Sequence, residues 1–72
     1  MYKETYIIEY GVYFGTNQFE THTIKVRNCM SEIHAKIKLE GYLKNKYSNF
    51  KSMVVYNCTP DFLGISDFLK HL

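Results

Sequence analysis

Alternation of apolar side chains over residues 4–14, ETYIIEYGVYF, constrains the fold of this chain more than any other feature. A period of two predicts a β-strand with one buried face. The opposite face is itself partly apolar, which favours a central position in a sheet. Gly11 predicts a bulge or a close approach to the backbone. The alternating residues, which we expect in the core, are Tyr6, Ile8, Tyr10, Val12 and Phe14.

A second strand is predicted over residues 19–29, FETHTIKVRNC, after a short turn at residues 15–18. Gly15 and Asn17 suit such a turn because both tolerate positive φ. Two strands joined this closely form an antiparallel hairpin. Since one face of the second strand is polar throughout, we expect that face to lie in water. The first face carries Glu20, His22, Ile24 and Val26, and the polar face carries Thr21, Thr23, Lys25 and Arg27.

Helical spacing begins after a candidate N-cap at Ser31 or Asn28 and reaches Tyr47, after which residues 48–50, SNF, end the helix. Its apolar side chains form two adjacent stripes. We expect one stripe to pack on the sheet and the other to meet a further surface. The first stripe is Ala35, Leu39, Tyr42 and Leu43, and the second is Ile33 and Ile37.

A third strand is predicted over residues 51–59, KSMVVYNCT, which is rich in β-branched and aromatic residues. Thr59, Pro60 and Asp61 then suit the start of a helix, because proline is favoured in a first helical turn. We expect this last helix to cover a sheet edge or the Ile33 and Ile37 stripe. Its apolar residues are Phe62, Ile65, Phe68, Leu69 and Leu72.

These elements predict a single α+β domain over residues 1–72, with the order ββαβα. Because a helical crossover returns the third strand parallel to the second, the economical sheet is antiparallel with strand order 2-1-3. The helices are expected on one face. With 72 residues, such a chain buries only about 60% of its unfolded surface, and a substrate cavity would occupy much of its core. We therefore expect no enzyme and no cofactor.

The composition narrows the class of partner. The formal net charge is +2 and Arg27 is the only arginine, which disfavours a sequence-specific DNA reader. Two cysteines are fewer than a secreted domain of this length usually carries. No apolar run approaches a membrane span, and the first ten residues contain glutamates where a signal peptide is apolar. We expect a soluble, cytoplasmic protein.

Cysteine and histidine chemistry is not indicated by the spacing. A Cys₂His₂ zinc site would need Cys29, His34, Cys58 and His71, none of which form a close knuckle pair. A disulfide joining the two cysteines would need Cα atoms within about 7 Å, whereas an intervening strand separates them by about 10 Å. A cysteine nucleophile would need a nearby histidine, and strict alternation places His22 and Cys29 on opposite faces.

Residues 31–61 carry a resemblance to a family. Ser31 and Glu32 precede the helix, Ala35, Leu39 and Leu43 follow at four-residue steps, and an apolar strand comes next. This unit resembles very small bacteriophage proteins and is similar to compact ββαβ anti-CRISPR and host-takeover proteins. The resemblance implies a protein that binds and blocks a host protein. It assigns no functional residue.

The sequence is compatible with two functions. The first is that of a non-catalytic protein-binding module. Such a module would be a phage-encoded inhibitor or modulator of a host protein that acts in the host cytoplasm. One aromatic is expected on the open sheet face, and the predicted contact residues are Tyr13, Thr21, Thr23, Lys25 and Arg27. The alternative is a nucleic-acid binder that uses Lys25, Arg27, Lys36, Lys38, Lys44 and Lys46. Pairing of copies through an exposed strand edge remains open.

Overall fold

The computed structural model describes residues 4–61, which form three strands and one helix in the order ββαβ. Strand β1 spans Glu4–Phe14, β2 spans Phe19–Cys29, α1 spans Glu32–Lys46 and β3 spans Phe50–Pro60. The sheet order is β2-β1-β3, and both pairs are antiparallel. The predicted small α+β domain with strand order 2-1-3 is confirmed.

One face of the sheet packs against α1. The alternating residues of β1 are all buried, as the pattern predicted, and the first helical stripe meets them. Ile8 and Val12 are almost completely inaccessible, as is Leu39 at the centre of the helix. The other face of the sheet, on which α1 does not pack and which no other described element covers, is called here the open face. The buried core consists of Tyr6, Ile8, Tyr10, Val12, Phe14, Ile24, Val26, Cys29, Ala35, Leu39 and Leu43.

Local chemistry accounts for the boundaries of the elements. Ser31 is the N-cap of α1, and its Oγ accepts a hydrogen bond from the backbone N–H of His34 at 3.1 Å. The β1–β2 turn uses Asn17 at φ 63°, a conformation that asparagine tolerates. Asn28 does not cap the helix. It adopts φ 61° where the β1–β2 register shifts between Glu4 and Tyr6.

The predicted helix start at residues 59–61 is wrong. Pro60 is the last residue of β3 and pairs with Tyr6, and the N–H of Asp61 continues the pairing by donating to the Thr5 carbonyl at 2.8 Å. Proline is tolerated at this place because β3 is an edge strand among the strands that the structure describes, where a missing N–H need not break a ladder. The remainder of that predicted helix, with Phe62, Ile65, Phe68, Leu69 and Leu72, lies outside the described residues.

Candidate functional site

The most distinctive surface of the described chain is an aromatic cluster on the open face. Tyr13, Phe19 and Tyr56 are 44%, 43% and 58% exposed, and each comes from a different strand. The rings of Tyr13 and Phe19 have centroids 4.5 Å apart, a favourable aromatic contact. Val54, opposite Gly11, is also exposed. We call Tyr13, Phe19, Val54 and Tyr56 the open-face cluster.

Gly11 lies at the centre of this cluster. A Cβ at this position would lie 2.6 Å from Phe19 Cζ and 3.1 Å from the Tyr56 hydroxyl oxygen. Both side chains therefore occupy the space that a larger residue at position 11 would fill. The predicted close approach at Gly11 is thus made by two aromatic side chains.

A β-bulge gives Tyr56 its position. Glu9 pairs with Asn57 and Tyr10 pairs with Val55, so Tyr56 is an extra residue in β3. Strict alternation would place Tyr56 and Asn57 on opposite faces, but a bulge breaks the alternation. The Tyr56 hydroxyl consequently reaches Gly11 on the open face.

The structure groups only some of the predicted contact residues. Tyr13, Thr21 and Thr23 are exposed, with Thr21 beside Gly11 and Thr23 beside Glu9. Arg27 is exposed but lies at the far end of β2. Arg27 is eight residues from Phe19, about 26 Å along an extended strand, and four residues beyond Thr23 on the same strand.

The expectation that the whole polar face of β2 lies in water is wrong at Lys25, which is only 8% exposed. Its partner in the register is Ile7, itself half-buried. A charged side chain buried to this extent is generally paired, and Lys25 does have an interaction partner, so a polar residue in an alternating pattern need not be exposed. Lys25 is therefore not an accessible contact residue.

The backbone carbonyl of Arg27, near the end of β2, accepts a hydrogen bond from Lys38 Nζ at 2.6 Å. This bond ties the middle of α1 to the end of β2. It makes Lys38 a structural residue rather than a free cation.

The other helical lysines are also engaged. Lys36 pairs with Glu32 at 3.2 Å and Lys44 pairs with Glu40 at 3.5 Å. Such pairs on a helix surface contribute only a few tenths of a kcal/mol, but they neutralise the local charge. These lysines belong to the helix, which covers the face opposite the open-face cluster.

Lys46 lies at a small depression of about 70 Å³ between β2 and the end of α1. Its Nζ is 5.5 Å from the ring centroid of Tyr42 and 5.3 Å from that of Tyr47. A hydrogen bond to Tyr42, with the charges of both phenols, raises the pKa of the Lys46 ammonium. Burial raises the pKa of Tyr10, which lines the same depression.

The bulge in β2 corrects the predicted orientation of Cys29. Because Asn28 is the extra residue, Cys29 returns to the core face and is fully buried. His22 is seven residues away along the strand, where its Nε2 lies 2.9 Å from Glu20 Oε1. The two side chains are therefore separated by distance and not, as predicted, by opposite faces.

His34 and the two cysteines have structural environments. His34 Nδ1 accepts a hydrogen bond from the Met30 backbone N–H at 3.0 Å, which helps to hold the start of α1. Cys29 and Cys58 form no disulfide, and β1 lies between their strands as predicted. Within residues 4–61 no three His, Cys, Asp or Glu side chains are grouped closely enough to hold a metal ion. His71 lies outside the described residues.

A second apolar surface lies on α1. Ile33 and Ile37, the predicted second stripe, are 70% and 63% exposed, and Met30, which precedes the helix, is 54% exposed. The stripe is a row of aliphatic side chains without an aromatic group. It provides a matched control for experiments on the open-face cluster.

The sequence predicted one aromatic side chain on the open face. It did not reveal that Phe19 and Tyr56 also lie there. Phe19 shares the parity of Thr21 and Thr23, so alternation extended by one residue pair would have placed it correctly. No local signal identifies Tyr56, because its position depends on where β3 pairs with β1.

The chain matches none of the protein-family models, curated protein sequences or solved structures with which it was compared. The resemblance to small phage proteins therefore stays a prediction. The one helix among residues 4–61, α1, lacks the length and apolar character needed to cross a membrane.

Proposed function

We propose that this protein is a non-catalytic protein-binding module whose contact surface is the open-face cluster together with Thr21 and Thr23. The observation that carries the proposal is the grouping of three exposed aromatic rings from three strands around Gly11. Exposed aromatic groups are enriched at protein interfaces and at their energetic centres. The flanking threonines provide the polar rim that such interfaces have.

The partner that we propose is a host protein, which this chain inhibits or redirects in the host cytoplasm as a phage-encoded factor. The resemblance of residues 31–61 to host-takeover proteins supports this partner. The proposal of a binding role is also supported by size, because a chain of 72 residues has little interior volume for a substrate site.

Binding of single-stranded nucleic acid is the second candidate, and the three aromatic rings favour it too. Sheets that bind RNA stack bases on aromatic side chains from adjacent strands. Such surfaces also need cations close to the rings to neutralise phosphates. Here Lys25 is buried, and Lys36, Lys38 and Lys44 are engaged on the helix side. Lys51, which is exposed and lines a depression with Tyr13, is a cation that the structure does place beside a ring, and a single lysine gives little phosphate neutralisation. This arrangement supports protein over nucleic acid.

A capture experiment tests the proposal. Wild-type protein is immobilised beside a Tyr13→Ala/Tyr56→Ala variant and a control, Ile33→Ala/Ile37→Ala, and each is exposed to host lysate. We expect one protein to be retained by wild type and control and lost from the open-face variant. Truncating an aromatic hot spot weakens binding by roughly 2 kcal/mol or more. A thermal melt of each variant shows that the fold is intact.

The same experiment separates the alternatives. If nuclease treatment removes the retained material and its affinity falls by orders of magnitude between low and moderate salt, the nucleic-acid function is correct. Retention of the partner by the open-face variant and its loss from the helix control would move the contact surface to Ile33 and Ile37. Concentration-dependent self-association in light scattering would instead indicate pairing of copies through a strand edge.

A further inference from the structure

Glu9 is a carboxylate at the middle of the open face. It is exposed on the central strand, with Thr23 of β2 on one side and Asn57 of β3 on the other. Among the acidic side chains of residues 4–61, Glu9 alone takes part in no hydrogen bond, ion pair or other electrostatic interaction. The described chain therefore leaves the charge of Glu9 available to a ligand.

A depression of about 320 Å³ lies over this carboxylate. Thr21 and Thr23 line it on the β2 side, and Tyr56 lines it on the β3 side. Tyr10 of β1 and His22 of β2, which pair with each other, also line it. The site thus combines one carboxylate, two hydroxyl groups that can accept hydrogen bonds, and one exposed aromatic ring. These groups are complementary to a planar, positively charged donor.

We propose, building on the proposed function, that this depression binds an arginine side chain of the partner protein. A guanidinium can donate two parallel hydrogen bonds to the Glu9 carboxylate. Its remaining N–H groups face acceptors in Thr21 and Thr23, and its flat face can stack on the ring of Tyr56. A lysine ammonium has three donors and no flat face, so it uses fewer of these groups.

Charge also favours this ligand over a nucleic acid. A phosphate placed on the open face would be repelled by Glu9, whereas a guanidinium is attracted. The net charge of +2 does not steer a basic partner over long distances, so the recognition acts at contact range. Glu9 therefore fixes where the arginine of the partner sits on the open face, while the aromatic rings supply contact area.

A peptide titration tests the inference without an identified partner. The probes are the capped tripeptides Gly-Arg-Gly, Gly-Lys-Gly and Gly-citrulline-Gly, followed by NMR shifts of the Glu9, Thr23 and Tyr56 amides. Citrulline has the shape of arginine without its charge. We expect the arginine peptide to bind about tenfold more tightly than the citrulline peptide, the size of one charge-assisted hydrogen bond. We expect the lysine peptide to fall between them.

The variant Glu9→Gln keeps the shape of the side chain and removes its charge. It should abolish the preference for arginine over citrulline, whereas the control Glu40→Gln, on the helix, should retain it. Equal affinities for the arginine and citrulline peptides in wild type, or an unchanged preference in Glu9→Gln, would overturn the inference. A lysine peptide that binds most tightly would overturn the assignment to arginine.

Failure of this inference is distinguishable from failure of the proposed function. If the captured partner binds Glu9→Gln as well as wild type but is lost from Tyr13→Ala/Tyr56→Ala, the open face is the interface and Glu9 has no part in it. If the partner binds the Tyr13→Ala/Tyr56→Ala variant undiminished, the proposed interface itself is wrong, whatever the peptides show.

Discussion

The ring of Phe19 lies over the backbone of Gly11, so that a Cβ on Gly11 would be 2.6 Å from Phe19 Cζ and 2.7 Å from Cε1. The two residues come from neighbouring strands, and the ring also contacts Tyr13. An aromatic ring over a strand glycine shields a backbone that would otherwise meet water. The absence of a side chain at position 11 therefore shapes the open-face cluster.

Gly11→Ala should rearrange this surface with little effect on stability. The clashing atoms are the far end of an exposed ring that can rotate away, and alanine loses less entropy than glycine in a strand. We expect the unfolding free energy to change by less than about 1 kcal/mol, while NOEs between the Tyr13 and Phe19 rings disappear. Unchanged NOEs in the variant would contradict this arrangement.

Gly41→Ala is the matched glycine control. A Cβ at Gly41, in the exposed part of α1, would meet nothing within 4 Å. Because alanine is the better helix former, the variant should be more stable by about 0.5–1 kcal/mol. A thermal melt should show this increase with no change in the spectra of the open-face aromatic residues.

Leu39→Ala should unfold much of the protein. Leu39 is fully buried between α1 and the sheet, so its truncation removes apolar contacts and leaves a cavity at a cost of about 2–5 kcal/mol. A domain of this size has only about 5 kcal/mol in total. The control Ile37→Ala, two residues away and exposed, should shift the free energy by no more than about 0.5 kcal/mol. Urea titration of both variants checks the difference, and equal midpoints would show that the helix phase is wrong.

Ser31→Ala should weaken the start of α1. The variant removes the side-chain oxygen that accepts the N–H of His34, a loss of about 1 kcal/mol for an N-cap. Ser31→Asp keeps an acceptor and adds a negative charge at the helix N-terminus, so it should retain stability. Ser48→Ala, in the exposed turn before β3, serves as control. Equal melting temperatures for Ser31→Ala and Ser48→Ala would refute the capping role.

The cysteines should make stability fall at alkaline pH. Burial raises the pKa of the Cys29 thiol above its ordinary value of 9.0, and burial with the charge of Glu32 raises that of Cys58. Because the thiol pKa is raised in the folded state, the thiols of the unfolded chain lose their protons at a lower pH than those of the folded protein. Stability is therefore complete below pH 9 and decreases as pH rises beyond it.

Replacement of both cysteines by alanine should reduce this alkaline decrease, as followed by urea denaturation at several pH values. Part of the decrease should remain at higher pH, because burial also raises the pKa of Tyr10. In thiol labelling of the folded wild type, the half-buried Cys58 should react before the buried Cys29. Faster labelling of Cys29 would show that the end of β2 opens readily.

Much of the fold was predictable from local patterns. Alternation from Tyr6 to Phe14 identified the buried face of β1, because side chains of a strand point alternately to its two faces. The spacing of Ala35, Leu39 and Leu43 identified the buried stripe of α1, because residues four apart lie on the same face of a helix. The strand order followed from the crossover helix and the short hairpin. These features depend on residues close together in sequence.

The composition of the open face was decided by the tertiary structure. A bulge opposite Glu9 brings Tyr56 onto that face, and a second bulge at Asn28 returns Cys29 to the core. Burial of Lys25 beside Ile7 and pairing of Pro60 with Tyr6 likewise depend on the register between strands. Where an extra residue enters a strand is set by how the whole sheet packs against α1, so alternation within one strand cannot reveal it. The sequence alone therefore determined the strands, the helix and the core, whereas pairing between strands decided which side chains surround Gly11 and Glu9.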